Sequence, residues 1–196
     1  MLTKKANLLR VINNIYFKKK EPVSLVHFIT NRCNARCSFC FIDFNNPNAF
    51  KNELTLNEIN KLTKSMGKSL LNVNLTGGEP LLQVDSNLLR GLKKKNFTVA
   101  LETNGTIRTD LNFDWICVSP KENSVWRLKC GDELKIIYPQ PKFDLKKISK
   151  LNFKYFFLQP MDNQIMRTNI YKTLEYCKSH KPWFPSFQLH KSLGVN

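Results

Sequence analysis

Three cysteines, Cys33, Cys37 and Cys40, lie within eight residues in the spacing C-x3-C-x2-C. Thiolates this close in sequence can bind one metal centre without ligands from elsewhere in the fold. A closed structural zinc site takes four protein ligands, and an ordinary ferredoxin cluster takes four cysteines. Three thiolates instead suit a [4Fe-4S] cluster whose fourth iron keeps an exchangeable ligand. We therefore predict that these three side chains bind such a cluster.

The alternative is three buried or zinc-binding thiols, since a free cysteine often behaves as a small hydrophobe. The remaining cysteines are Cys117, Cys130 and Cys177, and they form no second C-x-x-C pair that would complete a zinc site. We interpret these three as core thiols.

The length and composition predict one globular domain. The chain has 196 residues, of which 42% are hydrophobic, and we expect an N-terminal extension over 1–22 and a core over 23–196. No apolar run approaches the roughly 20 residues of a membrane helix, and the N-terminus lacks the pattern of a signal peptide. Six cysteines without such a signal are typical of a reducing compartment. We expect a cytoplasmic location without membrane contact.

The formal net charge of +16 has two readings. It would suit a nucleic-acid partner or a membrane surface, or it could reflect lysines on solvated faces. The lysines are dispersed, with short runs only at 18–20 and 93–95, and no nucleic-acid motif accompanies them. We favour solvated faces and expect no nucleic-acid partner.

Hydrophobic patterns predict six strands, and polar motifs follow several of them. Thr55 and Glu58 form a capping-box pattern before the first helix of the core. The alternation favours an α/β fold, a partial, open (β/α)6-type barrel with its site at the C-terminal ends of the strands. The strands are predicted at 23–30, 70–75, 97–101, 115–118, 133–138 and 155–158, and the helices at 56–66, 86–95 and 163–179.

The cysteine spacing resembles the signature of the radical S-adenosylmethionine (SAM) superfamily. Phe39 before the last cysteine, and the segment Thr76-Gly77-Gly78-Glu79-Pro80 after the second strand, are also similar to that superfamily. The resemblance implies that the SAM amino and carboxylate groups occupy the open iron. It also implies that an electron from the cluster cleaves SAM to methionine and a 5′-deoxyadenosyl radical.

Six later motifs, in order, resemble the 7-carboxy-7-deazaguanine synthase family of queuosine and 7-deazapurine biosynthesis. This resemblance covers roughly residues 70–196, and the N-terminal third is atypical. The motifs are Thr76-Gly77-Gly78-Glu79-Pro80-Leu81-Leu82-Gln83, Glu102-Thr103-Asn104-Gly105-Thr106, Trp115-Ile116-Cys117-Val118-Ser119-Pro120-Lys121, Glu133-Leu134-Lys135, Leu158-Gln159-Pro160-Met161-Asp162 and Gln188-x-His190-Lys191-x-Leu193-Gly194.

The family resemblance implies a carbon–nitrogen lyase reaction. Hydrogen is abstracted from 6-carboxy-5,6,7,8-tetrahydropterin, the ring contracts, ammonia leaves, and 7-carboxy-7-deazaguanine forms, with SAM regenerated. The resemblance further implies Mg²⁺, a flavodoxin or ferredoxin-type reductant, and a homodimer.

The resemblance also implies roles for individual residues. Gly78 and Glu79 would meet the SAM amino group. Thr76 would face the pterin, and Gln188, His190 and the C-terminal Asn196 would lie near its carboxylate. The remaining implied SAM contacts are Phe39, Cys40, Phe41, Ser119, Pro120, Lys121, Gln159, Pro160, Met161 and Asp162.

The front of the chain departs from the family pattern. It lacks the Gln-Gly-Glu-Gly segment that contacts substrate, and Ile42 stands where the family has a magnesium-supporting threonine. Asp43, one position later, offers the oxygen ligand that magnesium prefers. Two alternatives stay open: a radical SAM enzyme acting on a peptide or another heterocycle, and a non-catalytic metal-binding or RNA-binding module.

Overall fold

The computed structural model describes residues 22–37, 40, 42–48, 51, 53–66 and 69–188. Internal contacts divide this part of the chain into two compact units. Unit 1 comprises residues 22–32, 44–101 and 110–114, and unit 2 comprises 33–43, 102–109 and 115–188. The single domain over 1–196 stays a prediction, and nearly all of its extension at 1–22 lies outside the described residues.

The described residues form seven strands and four α-helices. Neighbouring strands run parallel, in the order β1-β2-β3 within unit 1 and β4-β5-β6-β7 within unit 2. The predicted parallel α/β class is confirmed. The elements are β1 Ser24–Phe28, α1 Leu56–Ser65, β2 Asn72–Thr76, a 3₁₀ turn Pro80–Leu82, α2 Ser86–Lys94, β3 Thr98–Thr103, β4 Trp115–Val118, β5 Cys130–Tyr138, α3 Leu145–Ile148, β6 Asn152–Pro160, α4 Met166–Ser179 and β7 Trp183–Pro185.

The count of six strands was wrong by one. β7 has only three residues and ends in Pro185, so it offers no alternating pattern to recognise. β5 and β6 each begin three residues earlier than predicted, in polar sequence. Asp132 and Lys154 form an ion pair there, which stabilises a stretch that lacks hydrophobic alternation.

Unit 1 buries alternate residues of its inner strands. Val73 and Leu75 of β2 pair in register with Val99 and Leu101 of β3, and all four are at most 1% exposed. Thr55 and Glu58 form the predicted capping box at the start of α1. The hydrophobic residues that the pattern assigned to the core therefore lie there.

Unit 2 has its own hydrophobic core, which anchors the loops that follow β4 and β6. The core consists of Val118, Leu128, Leu134, Ile136, Leu145, Ile148, Phe153, Phe156, Leu158 and Trp183.

No helix among the described residues is long and apolar enough to span a membrane.

Candidate active-site residues

Two glycines form the turn that follows β2 in unit 1. Gly77 has φ +84° and Gly78 has φ +52°. Residues that carry a Cβ rarely adopt these left-handed backbone conformations. A Cβ on Gly78 would lie 2.3 Å from the carbonyl oxygen of Arg32 and 2.8 Å from that of Thr30. The turn therefore lies directly against the backbone of residues 30–32, an approach that only glycine permits.

Glu79, the next residue, is fully buried. Its backbone N–H donates to the Arg32 carbonyl oxygen at 2.8 Å, and its Oε1 accepts from the Leu81 N–H at 3.1 Å. A buried carboxylate needs hydrogen-bond donors to offset its desolvation. Contact of Gly78 and Glu79 with the SAM amino group stays a prediction.

Glu53 connects several parts of unit 1. One carboxylate oxygen accepts from the Thr30 hydroxyl, while the other accepts from Gln83 Nε2 at 2.7 Å and lies 3.2 Å from Arg32 Nη2. The Thr30 hydroxyl in turn accepts from the Arg32 N–H at 2.9 Å. Glu53 thus holds the segment against which the Gly77-Gly78 turn packs. Sequence reasoning missed it, because the polar stretch around it carries no motif.

The cysteine loop belongs to unit 2. The Cys33 sulfur accepts from the Ala35 N–H, and the Cys40 sulfur accepts from the Ile42 N–H, both at 3.4 Å. The Cys40 N–H donates to the Cys37 carbonyl oxygen at 3.2 Å. Backbone N–H groups directed at sulfur are typical surroundings of cluster thiolates.

The Cys37 thiol is affected by its burial and by the charges around it. Burial raises the pKa of Cys37, the Lys121 ammonium lowers it, and Cys40 and Cys33 raise it further. Among the described residues, no three His, Cys, Asp or Glu side chains are already grouped as a metal site. Metal binding and local folding are coupled, and three neighbouring thiols are the soft donors that iron–sulfur clusters use. The donor set fits the cluster, and ligation by these cysteines stays a prediction.

A closed ring of hydrogen bonds joins the cysteine loop to the segment after β3. Asn34 Nδ2 donates to Thr106 Oγ1 at 2.7 Å, and that hydroxyl lies 2.7 Å from Asn104 Oδ1. Asn104 Nδ2 donates to Asn34 Oδ1 at 3.1 Å and to Cys33 Sγ at 3.5 Å. Cys33 and its neighbour Asn34 are thus joined to a segment about 70 residues further along the chain.

Lys121 follows β4 and points into unit 2. Its Nζ donates to the Ser119 hydroxyl at 2.9 Å, and Pro120 between them is buried. Burial lowers the pKa of Lys121, and Cys37 and Glu102 oppose that shift. A small cleft in unit 2 is lined by Ala35, Arg36, Cys37, Lys121, Glu122, Asn123, Gln140 and Met161. The structure therefore brings predicted cluster and SAM residues together in one cleft.

The loop after β6 is anchored by α4. Asn169 is fully buried, and its Nδ2 donates to the Met161 carbonyl oxygen at 2.9 Å and to Asn163 Oδ1 at 3.0 Å. Pro160 is buried at the end of β6, while Asp162 is exposed. The cleft contains Met161, but not the other three residues of the Gln159–Asp162 motif.

Several predicted site residues are not brought together by the described structure. Thr76 and Gln188 are partly buried, and Asp43 is exposed. Phe39, Phe41, His190 and Asn196 lie outside the described residues. Their roles stay predictions.

The other cysteines differ from one another. Cys117 is buried, and burial raises its thiol pKa well above the ordinary value, as expected of a core thiol. Cys177 is partly buried, but Cys130 is exposed. The assignment of Cys130 to the core was wrong, because it stands at the first position of β5, where the strand leaves the core.

Besides Glu53, the residues near the candidate site that sequence reasoning left without a role are Asn34, Asn104, Thr106 and Asn169. Two of them carried a signal, because Asn104 and Thr106 belong to a family motif after β3. Asn34 sits between two cysteines, where only the spacing was interpreted. Asn169 lies within an ordinary helical pattern and gave no signal.

Comparison with known proteins places this geometry in a family. Residues 28–117 match the model of the Radical SAM superfamily. A 7-carboxy-7-deazaguanine synthase of Bradyrhizobium diazoefficiens is 39% identical over 170 residues, which cover 84% of this chain and 81% of the relative. The chain belongs to the 7-carboxy-7-deazaguanine synthase family. The resemblance seen in the motifs is confirmed, and the superfamily implies a [4Fe-4S] cluster and SAM.

Further matches agree with this membership. The family's protein from Bordetella pertussis is 36% identical over 85% of this chain. The crystal structure of QueE from Escherichia coli shares the fold, with a TM-score of 0.64 and 17% identity over 84% of each chain. Since 84% of the chain is more than the part after residue 69, similarity to the family extends further forward than the motifs indicated.

Proposed function

We propose that this chain converts 6-carboxy-5,6,7,8-tetrahydropterin to 7-carboxy-7-deazaguanine with loss of ammonia. The observation that carries the proposal is the 39% identity to a 7-carboxy-7-deazaguanine synthase over 84% of the chain. The polar cleft beside Cys37 is consistent with it.

Cys33, Cys37 and Cys40 would hold three irons of the cluster. The amide and backbone N–H groups directed at Cys33 and Cys40 would compensate the negative charge of the thiolates. When bound, the cluster supplies the electron that cleaves SAM.

The proposed SAM contacts follow the family resemblance. Gly78 and Glu79 would contact the SAM amino group, and the Glu79 carboxylate would accept from the SAM ammonium as a charge-assisted hydrogen bond. Lys121 offers a positive charge for a carboxylate. The further proposed SAM contacts are Phe39, Cys40, Phe41, Ser119, Pro120, Gln159, Pro160, Met161 and Asp162.

The finer assignments rest on the family resemblance alone. Thr76, Gln188, His190 and Asn196 would contact the pterin, and Asp43 would offer an oxygen to Mg²⁺. We further propose a flavodoxin or ferredoxin-type reductant, a homodimer and a cytoplasmic location.

The test is a product assay under anaerobic conditions. Reconstituted protein is incubated with SAM, dithionite, Mg²⁺ and 6-carboxytetrahydropterin, and 7-carboxy-7-deazaguanine is measured by mass spectrometry. Cys37→Ala should abolish the product. Cys130→Ala, which changes an exposed cysteine outside the loop, should leave it unchanged.

Two results would contradict the proposed reaction. Deoxyadenosine without the deazaguanine would favour the second candidate, a radical SAM enzyme acting on another substrate. Ile42 supports that candidate, because its side chain lacks the oxygen that the family uses near magnesium. No SAM cleavage by cluster-loaded protein would exclude both.

A further inference from the structure

The Glu102–Thr106 motif, which spans the end of β3 and the turn after it, has no role in the proposed reaction. It contains Asn104 and Thr106, which are 5% and 8% exposed. Two buried polar side chains at the end of a strand need a physical reason, because burying amide and hydroxyl groups costs free energy unless they are hydrogen-bonded.

The hydrogen bonds that the Asn104 amide oxygen accepts fix the orientation of the amide. Its Oδ1 accepts from the Thr106 N–H at 2.9 Å and lies 2.7 Å from the Thr106 hydroxyl. A flipped amide would place its NH₂ group against the Thr106 N–H donor, so only one orientation satisfies both groups. The NH₂ group therefore faces Asn34 Oδ1 and Cys33 Sγ.

The backbone beneath Asn104 is equally constrained. Gly105 has φ +74°, and a Cβ there would lie 2.7 Å from Val118 Cγ1 and 2.9 Å from Trp126 Cδ1. Its carbonyl oxygen accepts from the N–H groups of Arg127 and Leu128 at 2.8 and 2.9 Å. Asn104 thus has little freedom to move away from Cys33.

We propose that Asn104 sets the reduction potential of the iron–sulfur cluster through its N–H···S hydrogen bond to Cys33. This inference rests on the proposed function, because it takes Cys33 to be a cluster ligand. The reduced cluster carries one more negative charge than the oxidised cluster, so a hydrogen bond to a ligand sulfur stabilises the reduced form more. Loss of the bond makes the cluster harder to reduce.

The expected effect follows from the energy of one hydrogen bond. A differential stabilisation of about 1.4 kcal/mol is a factor of ten in an equilibrium constant. For Asn104→Leu, which keeps a similar volume and removes the donor, we expect the equilibrium constant for one-electron reduction to fall about tenfold. For a one-electron couple this is a shift of about 59 mV to more negative potential.

The experiment is a dithionite redox titration of reconstituted full-length protein, followed by electron paramagnetic resonance. Iron and sulfide are counted in parallel. The matched control is Asn152→Ala, which changes an exposed asparagine at the start of β6 in the same unit. Thr106→Val provides a second variant, because it retains Asn104 but removes one group that orients its amide; a smaller shift of the same sign is expected.

The outcomes distinguish an effect of Asn104 on the reduction potential from a purely structural effect on the cysteine loop. A more negative potential at full iron content supports the proposal. A wild-type potential in fully loaded Asn104→Leu, or a shift no larger than that of Asn152→Ala, overturns it, as does a wild-type protein that takes up no iron. Failure of Asn104→Leu to load, with an unshifted potential in Thr106→Val, indicates a structural role only and also overturns it. Because potential is measured without pterin, absence of the deazaguanine product contradicts the proposed function and not this inference.

Discussion

The Glu53 carboxylate contacts the side chains of Thr30, Arg32 and Gln83 in unit 1. Its negative charge pairs with the Arg32 guanidinium. Glu53→Gln removes the negative charge that pairs with Arg32. Its NH₂ group would face either the Arg32 and Gln83 donors or the Thr30 hydroxyl, which now donates to that position. The segment that supports the Gly77-Gly78 turn would then loosen. We expect the Kd for SAM to rise roughly tenfold, equivalent to about 1.4 kcal/mol, at unchanged iron content. Equilibrium dialysis with labelled SAM measures this.

Glu58→Gln is the control for Glu53, because Glu58 only caps α1. It should lower stability by at most about 1 kcal/mol and leave SAM affinity unchanged. An unchanged Kd in Glu53→Gln would show that this network does not support SAM binding.

Two glycines of unit 1 should respond in opposite directions to the same substitution. Gly78→Ala places a methyl group 2.3 Å from a backbone oxygen at φ +52°, whereas a Cβ on Gly91, within α2, meets nothing within 4 Å. We expect Gly91→Ala to raise the free energy of unfolding by about 0.5–1 kcal/mol. Gly78→Ala should lower it by more than about 2 kcal/mol. Urea denaturation of both proteins compares them, and a stabilised Gly78→Ala would refute the close approach.

At the level of elements, α4 begins without a side-chain cap and depends on Asn169 for its connection to the preceding loop. Asn169→Leu leaves the Met161 carbonyl and Asn163 without this donor. We expect the free energy of unfolding to fall by about 3 kcal/mol, measured by urea denaturation.

Glu175→Gln on the exposed side of α4 is the comparison for Asn169, since it removes only an ion pair with Lys178. It should change stability by no more than about 0.5 kcal/mol. Equal effects in the two variants would mean that the loop is held by other contacts.

The sequence predicts elements well where a local signal exists. The capping pair Thr55 and Glu58 predicts the start of α1, and alternating apolar residues predict β2 and β3. The signal fails where stability comes from distant partners. Glu53 contacts residues 23 and 30 positions away, and β7 is too short for a period to show. For the same reason the cysteine spacing predicts a cluster but not the asparagine that contacts Cys33.

At the scale of the whole molecule, the pH dependence of stability should include the Lys135–Glu102 pair of unit 2. The two charges lie 2.5 Å apart, with side chains 16% and 31% exposed. Burial alone would lower the pKa of Lys135. The Glu102 carboxylate, with smaller contributions from Cys117 and Glu133, raises that pKa above its ordinary value. The folded pKa thus exceeds the unfolded value of about 10.4. The pair's contribution is therefore complete below that pH and is lost as pH rises through the folded pKa.

Chemical denaturation at about pH 8 and about pH 11 tests this linkage. Glu102→Gln should be less stable than wild type by about 2 kcal/mol at the lower pH, and the difference should shrink at the higher pH. A difference that is constant with pH would show that the pair does not titrate as described.

The closed ring of Asn34, Thr106 and Asn104 also has an evolutionary consequence. Each member donates to one neighbour and accepts from the other, so replacing any one side chain removes two of the three hydrogen bonds of the ring. A lineage cannot substitute these positions one at a time without passing through a less stable intermediate. Related proteins that have changed Asn34 should therefore also have changed Thr106 or Asn104, and the three positions should be inherited as a set.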